Sequence, residues 1–182
     1  MKQLFFLAFA FLVSVSGPVR AEEPLFSGPA QEAALKNKAK QTFGGTDFFF
    51  ARGSQKTNEY LPAGETLQDW KQMLAVYIFP GFPSAEQYVT AMVYKMGEHK
   101  IPVQAFKAKK DGEFIVIFPM VAKDVTEINF WRYADRPDDG GVIGWMYAVR
   151  YYGEMPSKED FTKMYTTSMG QFVDMPDIPF IP

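Results

Sequence analysis

The chain has 182 residues, with 19 Lys or Arg against 21 Asp or Glu, one histidine and no cysteine. The lack of cysteine excludes disulfides, a thiol nucleophile, a thiolate metal site and a lipid-modified N-terminal Cys, and the slightly acidic balance offers no basic face to nucleic acid. Aromatic residues make up 16% of the chain, which points to a folded, sheet-containing domain rather than a disordered one.

Residues 1–21 read as a secretory signal peptide. Lys2 supplies a positive start, residues 4–15 an apolar run, Gly17 and Pro18 a break, and Val19-Arg20-Ala21 small residues at the cleavage positions. The run is shorter than the roughly 20 apolar residues of a spanning helix, and no second candidate follows. Cleavage after Ala21 leaves 161 residues, a size suited to one domain. The 17 basic side chains then remaining (19 less Lys2 and Arg20) against 21 acidic give a formal charge of −4. The expectation is a periplasmic or secreted protein without integral membrane insertion after signal removal.

Residues 22–42 form an N-terminal arm, small and polar, with a short helix expected over 30–40. The single domain spans 43–182. Segments 47–52 and 56–61 flank a Gly53-Ser54 turn as a first hairpin. Thr66 and Asp69 mark a helical turn before a strand over 73–79. Ser84 with Gln87 forms a capping box, and Ala85, Tyr88, Val89, Met92, Val93 and Met96 line one helical face that Gly97 closes. Strands are expected over 103–109, 113–121, 126–133 and 142–151, the first pair joined at Asp111-Gly112. Ser157 with Asp160 opens a second helix, whose face carries Phe161, Met164, Tyr165 and Ser168 and which Gly170 closes. With no alternation of single strands and helices, the fold class is α+β, a largely antiparallel sheet with two main helices packed on one face.

The segment Asn58-Glu59-Tyr60-Leu61-Pro62-Ala63-Gly64-Glu65-Thr66-Leu67, followed by Trp70 and Met73, resembles a Tyr-x-Pro-x-Gly-Glu…Trp pattern of small secreted bacterial proteins of uncharacterised function. In layout alone, the chain is also similar to PsbP/Mog1-like domains. That likeness implies action by binding other proteins and carries over no site residue.

Chemistry-bearing residues are sparse. His99, the only histidine, follows a helix end and reads as a loop residue; with no Gly-x-Ser-x-Gly elbow, a serine hydrolase is disfavoured. One histidine and no cysteine leave zinc without ligands. Asp135, Asp138 and Asp139 beside Gly140-Gly141 read as turn residues, with a calcium site the alternative. Phe43-Gly44-Gly45-Thr46 lacks the rest of a P-loop. No local pattern singles out a carboxylate pair. No cofactor is expected, and no catalytic or metal residue is assigned.

The constellation with binding content is aromatic. A hairpin turn centred near Asp139 pairs Trp131 with Tyr147 and Tyr133 with Trp145, putting four rings on one face with Arg132 and Arg150 opposite. Two readings stay open: a face buried under the helices, or a ring platform for a peptide, sugar or lipid beside an arginine pair. Lys95, His99, Lys100, Lys107, Lys109 and Lys110 make a modest basic area that reads as solvated surface. In the C-terminal stretch Pro176, Pro179 and Pro182 recur every third residue, which suits an extended strip docking on the domain itself or on another protein.

The function expected is therefore an exported, soluble accessory or binding protein without catalytic activity, acting through contact with a protein partner in the cell envelope or outside the cell. The alternative is a carrier of a small apolar or aromatic ligand in a pocket between the first main helix and the sheet.

Overall fold

The structure, a computed structural model, describes residues 28–122, 124–136 and 140–182. Residues 1–27, with the segment read as a signal peptide, lie outside these, as do Asp138 and Asp139 of the acidic turn. The chain runs α1 (Pro29–Lys36), β1 (Lys40–Phe43), β2 (Thr46–Gly53), β3 (Thr57–Pro62), β4 (Gln72–Phe79), α2 (Ala85–Glu98), β5 (Gln104–Lys107), β6 (Phe114–Ala122), β7 (Val125–Asp135), β8 (Val142–Tyr152) and α3 (Lys158–Val173). The strands form one antiparallel sheet in the order β1-β2-β3-β4-β8-β7-β6-β5. Two four-stranded meanders thus meet at β4 and β8, and α2 carries the chain from the middle of the sheet to its far edge. The α+β, mostly sheet class expected from sequence is what forms.

The helices do not share a face. α2 lies on one side, packing Ala85, Tyr88, Val89, Met92 and Met96 against Val116, Trp131, Tyr133 and Met146. On the other side α3 sets Phe161, Met164, Tyr165 and Phe172 over Phe43, Phe130 and Tyr147. The reason is legible in the central strands. Leu74, Ala75 and Val76 are all buried, as are the seven consecutive residues 127–133 of β7. A strand buried on both of its faces, polar residues included, needs cover on each.

The described part of the N-terminal arm, residues 28–42, is docked on the domain. α1 starts at Pro29 and stops at Lys36, short of the expected 40, because Lys40 already pairs with Phe49 in β1. Gln31 and Ala34 are buried on the α3 side, and at Gly53 a side chain would run into the Gln31 amide. Both capping serines act as read: Ser84 Oγ accepts from Gln87 N at 3.2 Å and Ser157 Oγ from Asp160 N at 3.1 Å. The helix ends differ. Gly97 and Gly170 lie inside their helices, which run on to Glu98 and Val173, and Lys100 takes the left-handed conformation (φ 56°) just past α2.

Candidate functional site

The aromatic constellation splits between the two faces. Asp135 pairs with Val142, so the β7–β8 loop holds an even number of residues, 136–141, and its centre falls between residues 138 and 139 instead of at Asp139. That half-step changes the parity of every cross-strand pair. Trp131 therefore faces Met146 and Tyr133 faces Gly144 on the α2 side, whereas Trp145 faces Arg132 and Tyr147 faces Phe130 on the α3 side. All four rings are buried, so these four form no exposed platform. Trp131 stacks on Tyr133 at 5.3 Å between centroids, and Gly144 leaves the space in which the Tyr133 ring lies. Burial pushes the hydroxyl of Tyr133 well above 10 and that of Tyr147 up to about 12.

The two arginines separate likewise. Arg150 points to the α2 side, where its guanidinium lies 3.7 Å from the Trp70 ring centroid and donates to Glu127 Oε2 at 2.8 and 3.1 Å. Two donors on this face, Asn129 Nδ2 and Trp131 Nε1, are buried and find no hydrogen-bond partner among the described residues. Arg132, 5% exposed, points to the α3 side and stands 4.6 Å over the Trp145 ring, with Glu113 3.6 Å from its Nε.

Arg132 and Trp145, cross-strand partners, both bind the C-terminal segment, residues 174–182, which crosses the α3 face as a strap. Arg132 Nη1 donates to the Met175 carbonyl at 2.6 Å and Nη2 to Asp177 Oδ1 at 2.7 Å. Trp145 Nε1 donates to the Ile178 carbonyl at 2.9 Å. Asn58, fully buried in β3, donates to the Ile181 carbonyl at 3.1 Å and accepts from Ile181 N at 2.6 Å. Gln31 of α1 adds a donor to the same carbonyl at 3.0 Å. The expected self-docking of the proline strip is what occurs, and its triplet period has a structural meaning: Met175 and Ile178 are each 3% exposed and Ile181 is half-buried, while Pro176, Pro179 and Pro182 face solvent. Asn58 and Gln31 were not singled out from sequence, since a buried amide that reads a distant carbonyl leaves no local pattern.

Three of the six residues of the basic area are in ion pairs. Lys95 pairs with Glu98, Lys109 with Asp174, and Lys110 with both Glu113 and Asp177. A crevice of about 280 Å³ between the start of α2 and the β5–β6 turn mixes Lys107 and Lys110 with Asp111, Glu113 and Asp135. Asp135 Oδ1 accepts from Ala85 N at 2.5 Å, which makes it a cap for α2. His99 is the exposed C-cap residue of the same helix. Among the described residues no three His, Asp or Glu side chains gather as metal ligands, and no helix is long and apolar enough to cross a membrane.

One surface stands out for its exposure. β5 pairs only with residues 114–117 of β6, so residues 118–122 have no strand partner on their outer side among the described residues, and Val121 there is 71% exposed. Ala122 pairs with Val125, and Val125 with Tyr152, so the β6–β7 turn and the end of β8 meet there. Tyr152 is 43% exposed and Met155, three residues on, 42%.

These features define a single-sheet α+β protein with both faces covered and an apolar end. A family profile matches residues 36–175, and the chain belongs to that family, which is uncharacterised. No curated protein matches it.

Proposed function

We propose that the chain is an exported accessory protein that works by contact with another protein, in the cell envelope or outside the cell, without catalysis. The observation that carries this reading is the apolar end of the sheet, where Val121 on the α3 side and Tyr152 on the α2 side are exposed beside the edge of β6 that β5 leaves unpaired. An unpaired strand edge flanked by exposed apolar side chains is a surface that another chain can cover. Pro119 lies on the same edge and removes a backbone donor there. The edge is thereby blunted against indefinite strand addition, and the contact rests on side chains instead. The test is a photoreactive amino acid placed at Val121, with one at Tyr94, an exposed residue of α2, as control. Crosslinking in the native host should give one discrete adduct from position 121 and none from 94. Adducts from both positions alike, or from neither, would contradict the reading.

A second reading, the carrier of a small ligand between α2 and the sheet, has one observation in its favour: the buried donors of Asn129 and Trp131 on that face. An acceptor atom of a bound molecule would satisfy both. Native mass spectrometry of protein purified from the host decides it, since a carrier yields a co-purifying mass that Asn129→Ala reduces.

A further inference from the structure

We propose that the groove beneath the strap is a peptide-recognition site of which residues 175–182 are the resident occupant, and that a partner polypeptide built on the same triplet, an apolar residue followed by proline, with an acid completing the first triplet, seats in it. This inference concerns a surface apart from the apolar end, so either stands or falls without the other.

The groove reads backbone. Its donors meet the carbonyls of Met175, Ile178 and Ile181, three residues apart, at 2.6, 2.9 and 3.0 to 3.1 Å. An extended polyproline-type chain turns once every three residues, so carbonyls and side chains at that spacing present themselves on one side. The same residues supply the buried apolar anchors. The prolines between them are exposed and hold the chain extended. Two strap side chains are read by charge: Asp177, which takes Arg132 at 2.7 Å and Lys110 at 3.3 Å, and, at the start of the strap, Asp174, which takes Lys109 at 2.6 Å.

The donors are also held without the strap's help. Arg132 rests on Glu113 and the Trp145 ring, Asn58 Nδ2 donates to the Thr57 carbonyl at 3.0 Å, and Gln31 Nε2 to the Ser54 carbonyl at 2.9 Å. A site whose donors are already oriented loses little freedom when it captures a chain, and a chain with three prolines in eight residues loses little itself. Asn58, Arg132 and Trp145 fall within the family-matched residues 36–175, whereas the strap from Pro176 onward lies beyond them. Three of the four reading side chains thus lie within the matched span, while Gln31 and most of the occupant lie outside it.

The strap is tethered, so an added peptide competes against an effective concentration on the order of millimolar. Loosening the occupant while leaving the groove intact should therefore raise the affinity for an added peptide. The experiment uses the full chain and a fluorescent synthetic peptide with the sequence of residues 174–182. Asp177→Ala combined with Ile178→Ala should bind it at least tenfold more tightly than the unaltered chain, and adding Arg132→Gln to that variant should abolish the gain. A peptide that keeps the triplet but changes the apolar residues should bind within about tenfold, and one with each proline moved by a single position should not bind. No gain on loosening the strap, or equal binding of the proline-shifted peptide, would overturn the proposal. If the loosened variant does not fold, a photoreactive residue at the peptide position of Ile178 decides the matter on the unaltered chain at millimolar peptide. A crosslink in β7 or β8 that unlabelled peptide suppresses upholds the groove, and its absence rejects it.

Discussion

Replacing Arg132 by leucine tests the packing of the strap most sharply. The substitution removes the donors to Met175 O and Asp177 and takes the positive charge away from Glu113, which is itself buried. Removing one partner of a buried ion pair costs about 3–5 kcal/mol, because the other charge is stranded. Lys110 still reaches Glu113 at 2.8 Å, so the lower end applies, about 3 kcal/mol. In a domain of this size that corresponds to a fall in Tm of roughly 6–12 °C. Urea unfolding followed by tryptophan fluorescence measures it directly, since Trp145 lies in the affected contact. Arg132→Leu with Glu113→Leu removes the stranded carboxylate and should recover more than half of the loss. A single variant costing under about 1 kcal/mol, or a double variant less stable than the single, would refute the reasoning.

The Tyr60 hydroxyl is buried with no hydrogen-bond partner among the described residues, so Tyr60→Phe should be neutral or stabilise by about 1 kcal/mol in urea unfolding. Burial pushes the Tyr60 and Tyr147 hydroxyls up to about 12. Below pH 10 both folded and unfolded chains keep these protons. Between pH 10 and 12 the unfolded chain sheds them first, so stability falls as pH rises, by about 1.4 kcal/mol per pH unit for each such group. Melting curves in that window should flatten by one group's worth in Tyr60→Phe. Ser84→Ala deletes the cap of α2 and should cost about 1 kcal/mol, readable as a lower urea midpoint at unchanged slope. Val121→Glu, at an exposed position, should leave stability within about 0.5 kcal/mol while removing the crosslinked partner.

Local rules found most of the fold. Seven of the eight strands, two capping serines and both main helices follow from periodicity and turn residues, and the class follows from their order. The missed strand, β1, is four residues long, and its pattern of Lys40, Gln41, Thr42 and Phe43 carries no apolar alternation; its partner β2 makes it. The faces were lost on two counts. A pattern that is apolar on both sides reads as a strand but does not say which side a helix takes, and a half-residue error in the centre of the β7–β8 loop exchanged the partners of Trp131 and Tyr133. Arg132 and Trp145 were singled out as aromatic and charged surface, yet their hydrogen bonds to the strap join residues 43 and 33 positions apart, which only the folded sheet brings together.

Hydrogen exchange on the protein alone and in complex with its crosslinked partner tests the central claim most directly. Contact through the apolar end predicts new protection at residues 118–122 and 152–155 and little change elsewhere. Protection confined to the opposite edge at β1, or no change at the apolar end, would contradict it.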